Sequence, residues 1–446
     1  MALLDYVKTS FLVHLFFFVI FIISGLIVNI LQVFTLLLWP INKSIYRKAN
    51  GYLVYLHWSQ LVFLYDTYSG SHIFVHCDQK FFDTIDTVHG LFVMNHTYDL
   101  DWLATWCVAD RYGQLFSAKC FMKNELKYVP LIGWSFYLLE MPFLRRDFTR
   151  DREQLIEGIK LLSEFPMPSK TEKQGCGGAM HSKKSRKKEW FFSFTMVVEK
   201  RLLMFCEGTR FTPEKYEKSK QFALKKGLPV LKHILTPRTK GFCTAVEGLK
   251  GRVPILLDVT IAAQNSGGGD VTIYDLLLGK KVTFHAYVKV RDLNEVPTDS
   301  EEATSSYCHM LYQQKDKALG YFLEHNTFYG YDDTVKQYFI PPRIQPTLVA
   351  MFWYTVLGMP MLYYLWKLLY NGSMYTIVFT VLVIFLLQVG FHRMVSVTVA
   401  SHGSSYGSKN HRSSTEKNGT VSSLSTANGD SFHENITPNV EVKKEN

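Results

Sequence analysis

The sequence predicts an α/β fold: a domain built on a largely parallel sheet, anchored by an N-terminal transmembrane helix and paired C-terminal transmembrane helices. Three observations predict it. Short apolar runs alternate with helix-like stretches through the middle of the chain, the pattern of a sheet with helical crossovers. Phe11 to Leu38, Thr347 to Leu365 and Ser373 to Phe391 carry no charged residue, and each is near or above the roughly 20 residues that cross about 30 Å of hydrocarbon as a helix. Two of the apolar runs end in polar, chemically able strings, which is where open α/β sheets place their sites.

Residues 1–40 read as the first anchor. A signal peptide is the rival, but this apolar stretch is about twice the usual 7–15 residues and no small-x-small cleavage site precedes Trp39-Pro40. Lys43, Arg47 and Lys48 follow the span, whereas only Lys8, Asp5 and the amino terminus flank its start. The positive-inside rule therefore places the domain at 41–340 in the cytosol. His14, Asn29 and Gln32 weaken the span, and a helix pair seated in one leaflet is the other reading. Residues 51–66 are aromatic and apolar but too short to span; interfacial seating and core packing both fit them.

Within the domain, Leu91–Met94, Ala118–Met122, Leu202–Phe205, Pro229–Ile234 and Val282–Val290 read as strands. Trp102–Tyr112, Arg152–Leu162 and Pro213–Lys226 read as helices. Residues 167–189 hold seven Lys/Arg against two Glu and no apolar period, so they read as a solvated loop touching anionic lipid rather than a nuclear-localisation signal. Residues 345–400 hold two transmembrane helices hinged at Asn371-Gly372-Ser373, and 401–446, rich in Ser, Asn and Gly, a flexible tail. The net charge of +10 suits an anionic bilayer surface, not nucleic acid. Seven cysteines without a CxxC pair make no disulfide framework and fit a reducing compartment. With neither zinc spacing nor a Gly-rich nucleotide loop, no metal or bound cofactor is expected.

The chemistry lies in two strings, Asn95-His96-Thr97-Tyr98-Asp99-Leu100-Asp101 and Phe205-Cys206-Glu207-Gly208-Thr209-Arg210. Residues five apart on one helix point about 140° from each other. His96 and Asp101 meet only if His96 lies in the strand-to-helix turn and Asp101 in the first helical turn, with Thr97 or Asp99 capping. Asp101 then holds one imidazole nitrogen and leaves the other to take a proton, a base and its orienter without an enzyme nucleophile. Such a string arises by chance about once in a chain of this size, and a packed, hydrogen-bonded pair is its plain explanation. Asp99 is a second candidate orienter. In the other string Gly208 lets the backbone turn, Thr209 can donate and Arg210 can grip a phosphate bidentately; a strand-end turn with a solvated salt bridge is the bland alternative. Arg145-Arg146 and Pro237-Arg238-Thr239-Lys240-Gly241 add basic sites. Cys206, inside an apolar strand, reads as inert core. Asn95-His96-Thr97 is also an N-glycosylation sequon, and a glycan there would cover the base, so catalysis demands a cytosolic face.

Taken together, these strings resemble the membrane-bound glycerolipid acyltransferases, specifically the 1-acylglycerol-3-phosphate acyltransferases of gamma/delta type. His96–Asp101 is similar to the family's NHxxxxD motif and Phe205–Arg210 to its FxEGTR motif. The second motif falls at Gly133-Trp134 through Arg146, and the fourth at Val253-Pro254 through Ala262. Similarity covers roughly residues 35–410, and the four-motif combination is specific. Tyr128–Trp134, Leu235–Phe242 and Gly403–Gly407 point to the subgroup.

The resemblance implies that His96 deprotonates the sn-2 hydroxyl of a lysophosphatidic acid, which attacks acyl-CoA directly, with Asp101 orienting His96. It implies that Arg146, Glu207, Gly208, Thr209 and Arg210 form the acceptor's phosphate and glycerol site, and that Pro254 shapes the acyl-CoA side. Binding of CoA phosphates by Arg238 or Lys240 is an extension of that scheme. Acyl-CoA is then a co-substrate and no cofactor is needed. The implied setting is the endoplasmic reticulum membrane, with the catalytic domain cytosolic. Another lysophospholipid acceptor, such as lysophosphatidylinositol or a lysocardiolipin, is the nearest alternative. A non-catalytic lipid-binding protein is a remoter one, since a degenerate copy need not keep His96, Asp101, Glu207 and Arg210. Thioester hydrolysis ranks lower, because no Gly-x-Ser-x-Gly elbow is present.

Overall fold

Among the described residues, seven strands form one mixed sheet in the order β3–β6–β2–β7–β8–β1–β9. They are β1 (His72–Cys77), β2 (Gly90–Met94), β3 (Ala118–Cys120), β6 (Arg201–Met204), β7 (Ile255–Asn265), β8 (Val282–Asp292) and β9 (Lys336–Phe339). The short β4 (Met122–Lys123) and β5 (Phe143–Leu144) pair separately. Neighbours β3, β6, β2 and β7 run parallel, as do β8 and β1; β8 turns back antiparallel to β7, and β9 closes an edge antiparallel to β1. The computed structural model describes residues 7–85, 90–116, 118–144, 153, 156, 159, 201–269 and 271–399. Arg146, the basic segment 167–189 and the tail 401–446 lie outside them. Of the helix expected over Arg152–Leu162, Glu153, Ile156 and Ile159 are described, all helical.

The continuous apolar runs are explained by burial on both faces. Leu91 and Val93 of β2 point into one core and Met94 into the other, while β7 alternates Leu256 against Ile255 and Leu257. One face is covered by α2 (Lys43–Phe63), α3 (Gln79–Ile85), α4 (Asp101–Arg111) and α8 (Ile273–Leu277). The other is covered by α7 (Thr239–Leu249) and α9 (Glu301–His325). Local signals set the helix starts: Asn42 caps α2, Ser300 caps α9, and Thr212 with Pro213 opens α6 (Pro213–Lys225).

The segment at 51–66 packs into the core, and of its residues only Tyr52 is exposed. Val54, Trp58 and Val62 form its buried stripe, and Trp58 stacks on Trp106 of α4 with ring centroids 4.3 Å apart. The strand expected over Pro229–Ile234 is absent. The N–H groups of Lys232, His233 and Ile234 all donate to the Asp316 carboxylate of α9, at 2.7–3.3 Å, so none is left for a ladder.

Among the described residues, two helical runs are long and apolar enough to cross a membrane. The first is Phe11–Leu38, which includes α1 (Phe11–Thr35). The second is Gln345–Asn371, in which α10 (Gln345–Trp353) passes through a widened turn into α11 (Met359–Asn371). The apolar part of α12 (Met374–Val399), at Met374–Gly390, is shorter than the expected third span.

The polar residues that weaken α1 as a span are the ones it buries. Asn29 donates to Gln32 and to Ser135 of α5 (Ile132–Leu138), Gln32 donates to Asn50 of α2, and Gln60 donates to Ser24, all at 2.8–3.0 Å. His14 meets the backbone carbonyl of Leu277 at 3.0 Å. These bonds fasten α1 to the domain.

Candidate active site

Parallel pairing of β2 with β6, in the register Val93 to Met204, brings the ends of two distant strands together. The polar strings that follow them are thus neighbours. His96 sits in the turn after β2, and its backbone carbonyl accepts from Phe211 N–H at 2.9 Å. Its Nδ1 lies 2.7 Å from Asp101 Oδ2, and Asp101 is the fully buried first residue of α4. An ionised carboxylate only accepts, so Nδ1 carries the hydrogen and Nε2 presents its lone pair. The His96 side chain is 26% exposed, and Nε2 has no hydrogen-bond partner among the described residues. The Phe205 ring lies beside the imidazole, centroids 4.5 Å apart.

The capping expectation does not hold. Leu100 precedes α4 without a side-chain cap. Thr97 accepts from the Asn95 amide at 2.8 Å, and the Asp99 carboxylate pairs with Arg210. Asp99 is therefore a partner of the arginine and not an orienter of His96.

Glu207 is 2% exposed, and its Oε1 accepts from His96 N–H at 2.9 Å. In this structure that oxygen fixes the backbone of the histidine. Burial pushes its carboxyl from 4.5 up to about 7, and hydrogen bonding from His96 N–H offsets only part of that. An acid whose pKa rises on folding holds its proton more tightly in the native chain. Stability therefore falls as pH climbs from 4.5 towards 7 and levels off above. Glu207→Gln keeps an acceptor for His96 N–H. It should remove that slope, worth about 3 kcal/mol, as read from melting temperature against pH. Turnover should be largely kept. A raised acceptor KM without a change in the slope would restore the substrate contact.

Gly208 sits at φ +68°, which only glycine adopts freely, and a Cβ there would lie 3.4 Å from Arg238 Cδ. Arg238 N–H donates to the Cys206 carbonyl at 2.7 Å, so the structure brings Arg238 to the second string. Thr209 and Arg210 are partly exposed, and Lys240 is exposed on the first turn of α7. Cys206 is a buried free thiol. Pro254 is not near this site. It precedes Ile255, whose register partner is Gly90 at the start of β2, about 13 Å of strand before Met94. Its carbonyl accepts from Leu293 N–H at 3.0 Å.

Four supporting residues were not foreseen. The Asn95 amide pairs with both Ile261 N–H and C=O, at 2.7 and 3.0 Å, and extends the sheet past the end of β2. It is fully buried, so the sequon is closed in the folded chain and gives no topological information there. From α9, the Tyr312 hydroxyl accepts from Cys206 N–H at 3.0 Å and donates to the Met94 carbonyl at 3.1 Å, tying the two strings together. Lys315 donates to Val93 and Val259 carbonyls at 2.9 and 2.7 Å and pairs with Asp258. Only an amphipathic helix pattern marks α9 in the sequence, and nothing in it distinguishes these two side chains.

The acyltransferase family model matches residues 80–256, and the acyltransferase C-terminus model matches 275–353, the region that carries Tyr312 and Lys315. The chain is 35% identical over 410 residues to human 1-acyl-sn-glycerol-3-phosphate acyltransferase gamma, covering 92% of this chain and 98% of that one. It is 36% identical over 413 residues to the human delta enzyme, covering 92% and 99%. The mouse gamma enzyme is 35% identical over 410 residues, covering 92% and 98%. No solved structure matches the chain.

Proposed function

The chain belongs to the 1-acyl-sn-glycerol-3-phosphate acyltransferase family, and from that premise we propose that it transfers an acyl group from acyl-CoA to the sn-2 hydroxyl of lysophosphatidic acid. The observation that carries the mechanism is the 2.7 Å bond between His96 Nδ1 and Asp101, with Nε2 open to solvent. Nε2 takes the hydroxyl proton as the oxygen attacks the thioester carbonyl. The tetrahedral intermediate collapses, the C–S bond breaks, and the CoA thiolate leaves with the proton that His96 returns. Asp101 stabilises the imidazolium between these steps. No acyl-enzyme forms, and the burial of Cys206 supports this.

Arg210, aligned by Asp99, grips the acceptor phosphate from the loop that carries Gly208 and Thr209, and Arg146 assists it. Arg238 and Lys240 meet CoA phosphates. The cytosolic face of the endoplasmic reticulum is the proposed setting, supported by the positive charges that follow α1 and by the long apolar helices.

Full-length protein reconstituted in vesicles with labelled acyl-CoA and lysophosphatidic acid should yield phosphatidic acid and CoA in equal amounts. Free fatty acid in place of phosphatidic acid would mean hydrolysis, and a preference for lysophosphatidylinositol would move the acceptor. Arg210→Lys keeps the charge but loses the bidentate fork. It should raise the acceptor KM about tenfold, or about 1.4 kcal/mol, with the acyl-CoA KM unchanged. A change confined to acyl-CoA would reassign Arg210.

A further inference from the structure

Residues 124–138 are built to turn aromatic side chains outward. A helical turn over Asn124–Tyr128 is followed by a tight turn at Leu131, with φ 68° and ψ −76° and a bond from Ile132 N–H to the Pro130 carbonyl of 2.9 Å. A leucine in that conformation is strained and persists only where its surroundings hold it. Here they do. The Leu131 side chain is 5% exposed, and its Cδ1 would lie 3.3 Å from a Cβ placed on Gly25 of α1. Ser135 bonds Asn29 and Gln32 at 2.8 Å. Tyr46 of α2 donates to the Leu138 carbonyl at 2.6 Å. A Cβ on Gly133 would meet the Leu126 carbonyl oxygen at 1.9 Å, so the turn admits only glycine there.

With those residues fixed inward, Tyr128, Val129, Trp134 and Tyr137 remain outside, 70%, 45%, 44% and 67% exposed. Four large apolar side chains together on one short segment are unusual for a water-facing surface. Their neighbour is α1. At 100° per residue, Leu26, Ile30 and Val33 form one exposed apolar stripe that borders the line of Gly25 and Asn29 on which the segment sits. Lys127 Nζ lies 5.0 Å from the Tyr128 ring, and Lys43 Nζ lies 5.2 Å from Trp39 beyond the end of α1. Lysine beside an aromatic ring is the pairing of a headgroup boundary, with the ring among acyl carbons and the ammonium at phosphate.

We propose that the face carrying Tyr128, Val129, Trp134 and Tyr137 is a lipid-docking surface continuous with α1, so that the catalytic domain itself is seated in the headgroup region of a phospholipid bilayer. The inference rests on the membrane association of α1 and not on the catalytic roles above. The face is coupled to the catalytic pair through packing. Phe136 lies edge-on to Trp58 and Trp106, and Trp106 belongs to the helix that Asp101 begins. Seating the domain on this face sets how far His96 stands from the bilayer in which both acyl chains lie.

The test places a photoreactive benzoylphenylalanine at one position at a time in the full-length chain. The protein is held in vesicles of phosphatidylcholine and phosphatidylserine. Tyr128 and Tyr137 are already more than half exposed aromatics, so the substitution should not disturb the fold. Irradiation should yield phospholipid adducts at 128, 137 and Ile30 of α1. None should form at Tyr329, an exposed residue bonded to α9 on the other side of the sheet. Adducts at Ile30 without any at 128 or 137 would overturn the docking surface and keep α1 in the membrane. Cross-links from 128 or 137 to protein would overturn it in favour of a partner or a second copy. No lipid adduct at Ile30 would remove the membrane reading of α1 and the proposal with it.

Discussion

Replacing His96 with alanine is expected to lower kcat by about 10²–10⁴, the range a positioned general base supplies. Little else should change. The His96 N–H and C=O, which bond Glu207 and Phe211, belong to the backbone and survive the substitution. Membrane insertion and melting temperature should therefore match the parent in vesicles, and acceptor KM should stay close to it. Asp101→Asn is the companion. An asparagine can present its amide nitrogen to Nδ1 and favour the other tautomer, which places the hydrogen on Nε2 where the lone pair is needed. It should lose nearly as much activity, and the double variant little more than either alone, because the two residues act as one unit. A His96→Ala protein that keeps its turnover would sink the mechanism.

Lys315→Met is expected to be the most destabilising single change near the site. The ammonium is 1% exposed on its side chain and spends its donors on the Val93 and Val259 carbonyls and on Asp258. Methionine fills similar space but leaves the Val93 and Val259 carbonyls and half a carboxylate without this donor. Breaking such a buried pair costs about 3–5 kcal/mol. Thermal unfolding should register a fall of roughly 10 °C for a domain of this size. The neighbouring Lys317 is exposed, so Lys317→Met should stay within about 0.5 kcal/mol of the parent. Equal effects from the two would mean that the buried clamp contributes nothing.

The contact between His96 and Asp101 was legible because it is local. Five residues, one turn and a helix start decide it, and the sequence carries all three. The strand runs at 91–94 and 202–205 were legible for a similar reason, since burial on both faces leaves an uninterrupted apolar string. What depended on distant partners was not. Pro229–Ile234 has the apolar content of a strand, but a carboxylate 82–84 residues further on takes its amides. The strand β7 hides behind Asp258 and Thr260, polar residues that an isolated reading places outside. Asp258 is acceptable inside because Arg291 and Lys315 neutralise it from a second strand and a helix. The bond from His96 N–H to Glu207 was not legible either, because it joins two strings 111 residues apart that only the fold brings together. Pro254 begins a motif that runs along β7, and it lies at the end of that strand away from His96.

The closed sequon at Asn95 has a consequence for biogenesis. Its amide is available to a glycosylating enzyme only while the chain is unfolded, because folding commits both amide atoms to Ile261. A sugar attached to the unfolded chain would block that pairing. The added sugar would then occupy the place of a backbone pairing that the sheet requires. Any modification of the asparagine beside the histidine must therefore precede folding, because the native sheet uses both atoms of its amide.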